Sequence, residues 1–352
     1  MPDKPLRILI LHMRFHPDAT GTGLIVTEMA TDLAQLGAEV TVVTSMPHYG
    51  RKQIPAQYRR RLVHRSEFRG VRVWRTFAYA PPSPSLFHRS INYASYTFMS
   101  LFAGAASGRH DVLLAISPPL TVALSGWLIA AANRIPMVFN VQDIWPESIA
   151  AVSRFRIRWL IYLTEKLELL SYRLSKSITV ISEGMRENLL AKGVPHEKLV
   201  VIPNWADLQQ IQPVSKENGF RRTHNPDNKM LVMFSGNIGY IAVLDTVLAA
   251  ARILHEDSRF IFQIIGEGND KARLMDLARD WGLQNLRFLS TQPREVLSEM
   301  LGAADISIVT LKKELGATNV PSKVYSIMAS ARPILASVPA DSEIARIVSV
   351  AK

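Results

Sequence analysis

The 352-residue sequence predicts an α/β protein of two domains, each built on a parallel sheet. Short apolar runs suited to buried strands alternate with helical patterns along nearly the whole chain. One polar, proline-containing stretch, residues 204–229, stops that rhythm, after which it restarts. The composition, 48% apolar, can fill two ordinary cores. No cysteine is present, which excludes disulfides, thiolate metal sites and a cysteine nucleophile.

Leu6–Leu11 opens the first domain, residues 1–203, as a strand, being too short and too close to charge for a signal-peptide core. The loop MRFHPDATGTG, a helix over Leu24–Leu36 closed by Gly37, and a strand Glu39–Thr44 complete a βαβ unit. Gly21, Thr22 and Gly23 stand where backbone passes close to a ligand at a helix N-terminus, or make a plain tight turn. The full GxGxxG spacing is missing and no acid closes the second strand, which disfavours a nicotinamide cofactor. His12 and His16 lie across a strand end and a loop, so a metal pair is not expected.

Ser90–Gly108 reads as an uncharged helix rich in aromatics (Tyr93, Tyr96, Phe98, Phe102). It either packs on the sheet or dips into a bilayer surface. Val112–Asn133 is uncharged for 22 residues, but Pro118 and Pro119 divide it into a strand, Val112–Ile116, and a buried helix. Met137–Val141 suits a central strand and ends in VQDIWPES. Asp143 is thereby a candidate acid or base beside an acceptor hydroxyl, with Glu147 one turn on; alternatively Asp143 caps a turn and Glu147 faces water. Helix Arg156–Leu174, strand Ser177–Ile181, helix Glu183–Lys192 and strand Leu199–Ile202 finish the domain.

The second domain, residues 230–352, opens with strand Met230–Phe234 running into SGNIGY, then helix Val243–Leu254. Strand Phe260–Ile265 runs into GEGND, followed by helix Lys271–Trp281, strand Leu286–Leu289, helix Arg294–Leu301 and strand Ile306–Val309. Gly236 with Gly239, and Gly266 with Gly268, fall at carboxyl ends of strands. In Ala317–Leu335, ATNVPSKVYSIMASARPIL, Asn319 is a suitable cap and Pro321 is acceptable in a first helical turn. Ser322 would add a hydroxyl donor and Lys323 a mobile positive charge, making an anion seat or an ordinary capped helix. Together with the glycine loops this rim suits a nucleotide diphosphate, with Glu267 accepting from ribose hydroxyls or solvated.

The net charge of +11 is uneven. Residues 1–200 hold 24 Lys/Arg against 14 Asp/Glu, and the remainder 17 against 16. Between Arg51 and Arg75 nine basic residues meet one acid, Glu67, a run that fits nucleic acid, an anionic membrane face, a phosphorylated substrate or simply water.

The ordered segments TGTGLIVTEMATDLAQLGAEVTVVT, SPPL, VQDIWPES, VISEGMRENLLAKGV, VVIPNWAD, FSGNIG, IIGEG and VPSKVYSIMASARPIL resemble the family-4 retaining glycosyltransferases of GT-B fold. Among these the chain is most similar to bacterial colanic-acid and O-antigen enzymes akin to fucosamine transferases. The resemblance implies two Rossmann-like α/β/α domains facing a crevice, the acceptor held by the first and the nucleotide sugar by the second. It implies a metal-independent hexosyltransferase that needs no cofactor, its donor substrate UDP-linked. Carried onto this chain, the donor is met by Gly236, Asn237, Gly239, Gly266, Glu267, Gly268, Val320, Pro321, Ser322 and Lys323. The acceptor is met by Gly21, Thr22, Gly23, Asp143 and Glu147, and Asp143 and Lys323 serve catalysis. The expected partner is a lipid-diphosphate-linked glycan at the anionic cytoplasmic membrane face, in exopolysaccharide, capsule or O-antigen synthesis, with no nucleic acid. A nucleotide-sugar 2-epimerase of the same fold, or a basic membrane- or nucleic-acid-binding protein, are the competing readings.

Three departures accompany the resemblance. Thr318 and Ser326 stand where many members carry glutamates, so sugar hydroxyls are expected to be read elsewhere. Asn237 and the uncharged Ile241–Leu244 stretch replace an Arg and a Lys, leaving Lys323 as the clearest cation for diphosphate. Members also continue past the position of Lys352, so the second domain is expected to be incomplete in this sequence.

Overall fold

The computed structural model describes residues 4–18, 21–48, 54–80, 86–144, 158–315 and 320–351. Two compact units divide the chain, one reaching to Pro203 and the other starting from Asn204. The first holds an eight-stranded sheet, β1 (Arg7–Leu11), β2 (Glu39–Ser45), β3 (Val63–Phe68), β4 (Val71–Thr76), β5 (Val112–Ile116), β6 (Met137–Val141), β7 (Ser177–Val180) and β8 (Leu199–Val201). Its order is β3-β4-β2-β1-β5-β6-β7-β8, parallel throughout except where β3 runs against β4. Central strands of such a sheet are covered on both faces, so most of their positions are apolar. Leu9, Ile10 and Leu11 are accordingly fully buried.

Helix α1 (Thr22–Gln35) covers one face, Val26 and Ala30 packing with Ile8, Ile10, Val40, Val42, Val71 and Val73. The alternate residues face α2 (Leu86–Ala106) and α3 (Val122–Asn133). There glycines let the layers close: a Cβ on Gly126 would stand 3.1 Å from Leu113, and one on Gly104 would stand 2.5 Å from Ile129. Helix α4 (Arg158–Leu174) joins the same layer, Tyr172 meeting Phe139 of β6, and α5 (Glu183–Ala191) precedes β8. The β3–β4 hairpin occupies the arginine-rich run, where only charge was read from the sequence. Its two-residue turn places Arg69 at φ 48° and Gly70 at φ 80°, the geometry whose twist matches paired strands.

The second unit has β9 (Met230–Ser235), β10 (Phe260–Ile265), β11 (Leu286–Leu289), β12 (Ile306–Thr310) and β13 (Ile334–Ser337). They form a wholly parallel sheet in the order β11-β10-β9-β12-β13. Its helices are α6 (Gly219–His224), α7 (Asp245–Ile253), α8 (Lys271–Asp280), α9 (Leu297–Gly302), α10 (Lys323–Ala329) and α11 (Glu343–Val350). The stretch 204–229, whose composition reads as a linker, carries α6 and is fastened to this unit. Asn218 caps α6 through the Arg221 amide, and the buried Arg221 guanidinium donates to Asp305 at 3.0 Å and to the Ala303 and Lys229 carbonyls. Polar residues at 218–229 thus make a buried hydrogen-bond network, which a hydropathy reading scores as loop.

Candidate active site

In the second unit the chain leaves β9 for β10 on one side, while β12 pairs on the other, so the strand order reverses at β9. Open α/β sheets bind ligands outside the carboxyl ends of strands at such a point. Gly236 follows β9, Gly266 follows β10, and Lys323 opens α10. The structure brings Gly236 and Lys323 together: a Cβ on Gly236 would stand 2.9 Å from Lys323 Nζ. Phe234, the last apolar residue of β9, lies beneath, its ring centroid 3.5 Å from that nitrogen.

The ammonium of Lys323 is the electrostatic anomaly of this rim. Burial lowers its pKa to about 7, because a charge removed from water is disfavoured unless a partner replaces the lost hydration. Among the described residues, only the face of Phe234 offsets that loss. Its neighbours are neutralised. Lys271 donates to Glu267 at 2.9 Å and to the Gly266 carbonyl at 2.9 Å. Arg273 is held by Asp245 and Asp270 at 2.7–2.8 Å. Glu267 therefore spends one carboxylate oxygen on Lys271, which with Ser290 holds its pKa below the usual range.

The glycines have a reason internal to the protein. Gly266, at φ +146°, would put a Cβ 1.9 Å from the Gly236 carbonyl, and Gly268 one 2.0 Å from the Ile238 carbonyl. The two loops are laced by Gly236 N–H to Ile265 O and Ile238 N–H to Glu267 O, both 2.9 Å. Close backbone approach is thus real, but it is loop against loop. Gly239 has only the Asn237 and Asn269 side chains near its Cβ position, at 3.2 and 3.5 Å.

Helix α10 opens at Lys323, two residues after Pro321, with Ser322 helical in φ,ψ and making no side-chain cap bond. Val324 and Tyr325 already donate to the Pro321 and Ser322 carbonyls. With seven residues the helix supplies a weaker dipole than the sequence pattern promises, so an anion seat here would rest on the Lys323 charge and the uncommitted Ser322 hydroxyl. Val320 is buried, and Asn319 and Thr318 lie outside the described residues.

In the first unit the order reverses between β1 and β5. His12, just past β1, is fully buried, its Nδ1 3.1 Å from the Ile116 carbonyl. Desolvation lowers its pKa to about 4, so the ring is neutral, Nδ1–H is the donor, and Nε2 is an acceptor with no hydrogen-bond partner. His16 is elsewhere, stacked on Phe68 at 4.1 Å. Among the described residues no group of acids and histidines could hold a metal ion.

Thr22 opens α1 and Gly21 is exposed at φ 56°, while Gly23 is buried, its Cβ position 2.7 Å from the Asp18 carbonyl. The close approach at Gly23 is therefore to the protein's own loop. Asp143 lies two residues past β6, after Gln142, whose amide donates to Ser117 Oγ at 3.2 Å. Burial raises the Asp143 pKa and Arg14 opposes the shift, which gives a carboxylate with more appetite for a proton than a solvated one. Glu147 lies outside the described residues. Sequence reasoning missed Phe234, Arg14 and the role of His12; a strand phenylalanine carries no mark separating a cation's bed from ordinary core.

Residues 20–205 match the model of the glycosyl transferase 4-like domain, and residues 215–342 that of the glycosyl transferases group 1 family. The chain is 30% identical over 332 residues to a protein of Escherichia coli K12 named as the colanic acid biosynthesis glycosyl transferase WcaI, covering 92% of this chain and 81% of that one. The chain belongs to the family-4 glycosyltransferases of GT-B fold. A second relative of this glycosyltransferase, named as the glycosyltransferase WbjE of Pseudomonas aeruginosa, is 28% identical over 68% of this chain and 60% of its own length. Solved structures agree on the fold. Sucrose-phosphate synthase from Thermosynechococcus elongatus superposes with TM-score 0.74 at 15% identity, over 95% of this chain and 82% of that one. Anabaena HepE in complex with UDP-glucose gives 0.66 at 13%, over 98% and 88%.

Proposed function

We propose that this glycosyltransferase moves a sugar, with retention at the anomeric carbon, from a UDP-linked donor to a lipid-diphosphate-linked glycan. The setting is exopolysaccharide, capsule or O-antigen synthesis at the cytoplasmic face of the cell membrane. The observation that carries the donor half is Lys323: a desolvated ammonium with no carboxylate beside it among the described residues, at the strand-order reversal. An anion arriving there supplies the missing partner, and the diphosphate gains negative charge as the glycosidic bond breaks. Lys323 and the Ser322 hydroxyl stabilise that leaving group without a metal or cofactor. A UDP donor is supported by the UDP-glucose that HepE, a neighbour in fold, binds. Asp143 takes the acceptor hydroxyl's proton as the new bond forms, a task its raised pKa suits.

The acceptor half rests on the excess of base over acid in residues 1–200, and on the E. coli relative's named part in colanic acid biosynthesis. Among the described residues no helix is long and apolar enough to cross a membrane. The test is incubation with labelled UDP-sugars and a polyprenyl-diphosphate sugar. Label in the lipid fraction is expected, and absence of transfer with every donor refutes the reading.

A further inference from the structure

Helix α2 is inverted. Its buried side carries Asn92, Tyr96 and Ser100, while Phe87, Ile91, Phe98 and Phe102 recur at helical spacing on the outside, Phe87 71% and Phe98 62% exposed. The polar side is satisfied inside the fold, Tyr96 donating to the Val43 carbonyl and Ser100 to Ser125. The aromatic helix of the sequence therefore does pack on the sheet, yet with its aromatic stripe turned to solvent. The neighbouring helices of that layer continue the stripe: Trp127 and Leu128 are exposed on α3, and Trp159, Tyr162 and Leu163 on α4. Single exposed apolar residues need no explanation, but a run across three adjacent helices does.

The charge around this face is mainly positive, with exposed carboxylates at Glu165 on α4 and at Glu39, which pairs with Arg72 at 3.6 Å. Residues 86–142 contain a single acid, Asp111, and it is bonded to Arg7 at 2.6 Å. Arg89 and Arg134 are exposed at the ends of the stripe, and Lys166 sits 5.2 Å over the Tyr162 ring. At the sheet edge Val71 and Val73 face α1, so Arg72 and Trp74 face the α2 side, with Arg65 3.8 Å over the Trp74 ring.

We infer that the outward face of α2, α3 and α4 is seated on an anionic bilayer, its aromatic side chains at headgroup depth and the arginines among the phosphates. This rests on, and deepens, the reading of a lipid-linked acceptor. A second copy of the chain is the poorer occupant, because among the described residues α2, α3 and α4 together offer the other copy's arginines one exposed carboxylate, Glu165.

The full chain is sedimented with phosphatidylcholine vesicles, with and without phosphatidylglycerol, at low and high salt. Binding is expected only with the anionic lipid and weakened by salt. Phe98→Ser with Phe102→Ser should lower vesicle partitioning at least about tenfold with UDP-sugar affinity unchanged. Trp127→Ser is an independent variant; in the wild type, brominated lipid should quench tryptophan emission, and less so without Trp127. Failure of the wild-type protein to sediment, variants that sediment like it, or a dimer that the phenylalanine pair holds together in place of vesicle binding each overturn the inference. Transfer to the lipid-linked acceptor in detergent is read separately. Transfer without vesicle binding retires the docking face alone, and vesicle binding without transfer retires the acceptor reading alone.

Discussion

Replacing Lys323 by Met should move affinity and stability in opposite directions. The side chain keeps its length and its packing on Phe234 but loses the charge. The folded pKa of about 7, against the ordinary 10.5, means that the folded state prefers the neutral amine. At 1.36 kcal/mol per unit this sets a ceiling of about 5 kcal/mol on what the ammonium costs the fold, and the partial solvent exposure of Lys323 keeps the cost below it. The cost is full below pH about 7 and is relieved as pH rises toward 10.5, since over that range the unfolded chain holds the proton that the folded chain has released. Lys323→Met should therefore raise the melting temperature at about pH 6 and gain progressively less above about pH 7. Donor binding should suffer instead. A hydrogen bond to a charged group contributes about 1.5–3 kcal/mol, so UDP-sugar Kd should rise about ten- to a hundredfold.

Calorimetric titration across the pH range separates this from a packing effect. Wild-type affinity for UDP-sugar should be flat below about pH 7 and fall toward tenfold per unit above it, because the diphosphate binds the ammonium form. The Met variant should show no such slope. Unchanged donor affinity, or a variant less stable than wild type at about pH 6, would falsify the role given to Lys323.

Three further outcomes follow from the geometry. Asp143→Asn should lower turnover about 10²- to 10⁴-fold in the transfer assay with donor Kd unchanged, if Asp143 takes the acceptor's proton as proposed. Gly266→Ala places a Cβ 1.9 Å from the Gly236 carbonyl on a backbone at φ +146°, so it should cost about 3 kcal/mol or more in denaturant unfolding and weaken donor binding. His12 and His110 have folded pKa values of about 4, below the ordinary 6.5, so stability should fall as pH drops from about 6.5 toward 4 while the unfolded chain takes up protons first. His12→Gln should remove about half of that acid dependence in melting curves taken across the same range.

Strands β5, β6, β10 and β11 begin and end at the residues the sequence marks, because each is an apolar run stopped by proline, glycine or a polar residue. The β3–β4 hairpin is only half legible: VRVWRT starts with alternation and an Arg-Gly turn precedes it, but VHRSEF is polar between its two ends and lies in a run of nine basic residues. Residues 204–229 read as linker because their stabilisation is a hydrogen-bond network around Arg221, to which hydropathy is blind. At the site, Lys323 is legible as the cation at a helix start after Pro321, with Asn237 and the uncharged Ile241–Leu244 stretch where related enzymes carry an Arg and a Lys. Lys271, which the structure brings to the same rim, was hidden inside a helical pattern and is tied up by Glu267. Spacing also pointed to the glycines, yet their cause, one loop's carbonyl against the next loop's Cα, is a contact between strands 30 residues apart in the chain.

The pairing pattern along the donor rim explains why the costly ammonium is left uncompensated. A carboxylate beside Lys323 would return its pKa toward the ordinary value and recover part of the lost stability; Lys271 and Arg273 have such partners in Glu267 and in Asp245 with Asp270. On the proposed donor role, the same carboxylate would repel the incoming diphosphate, by about 4 kcal/mol at 4 Å separation and an effective dielectric constant of 20. Supporting the charge on an aromatic face avoids the conflict. Phe234 offers electron density without a fixed negative charge, so it holds the ammonium loosely and yields it to a true anion. The glycine at 236 is part of the same device, since any side chain there would take the 2.9 Å gap through which Lys323 Nζ reaches the rim. Under the proposed donor role, instability at this one point is the condition for binding, and donor binding would relieve it.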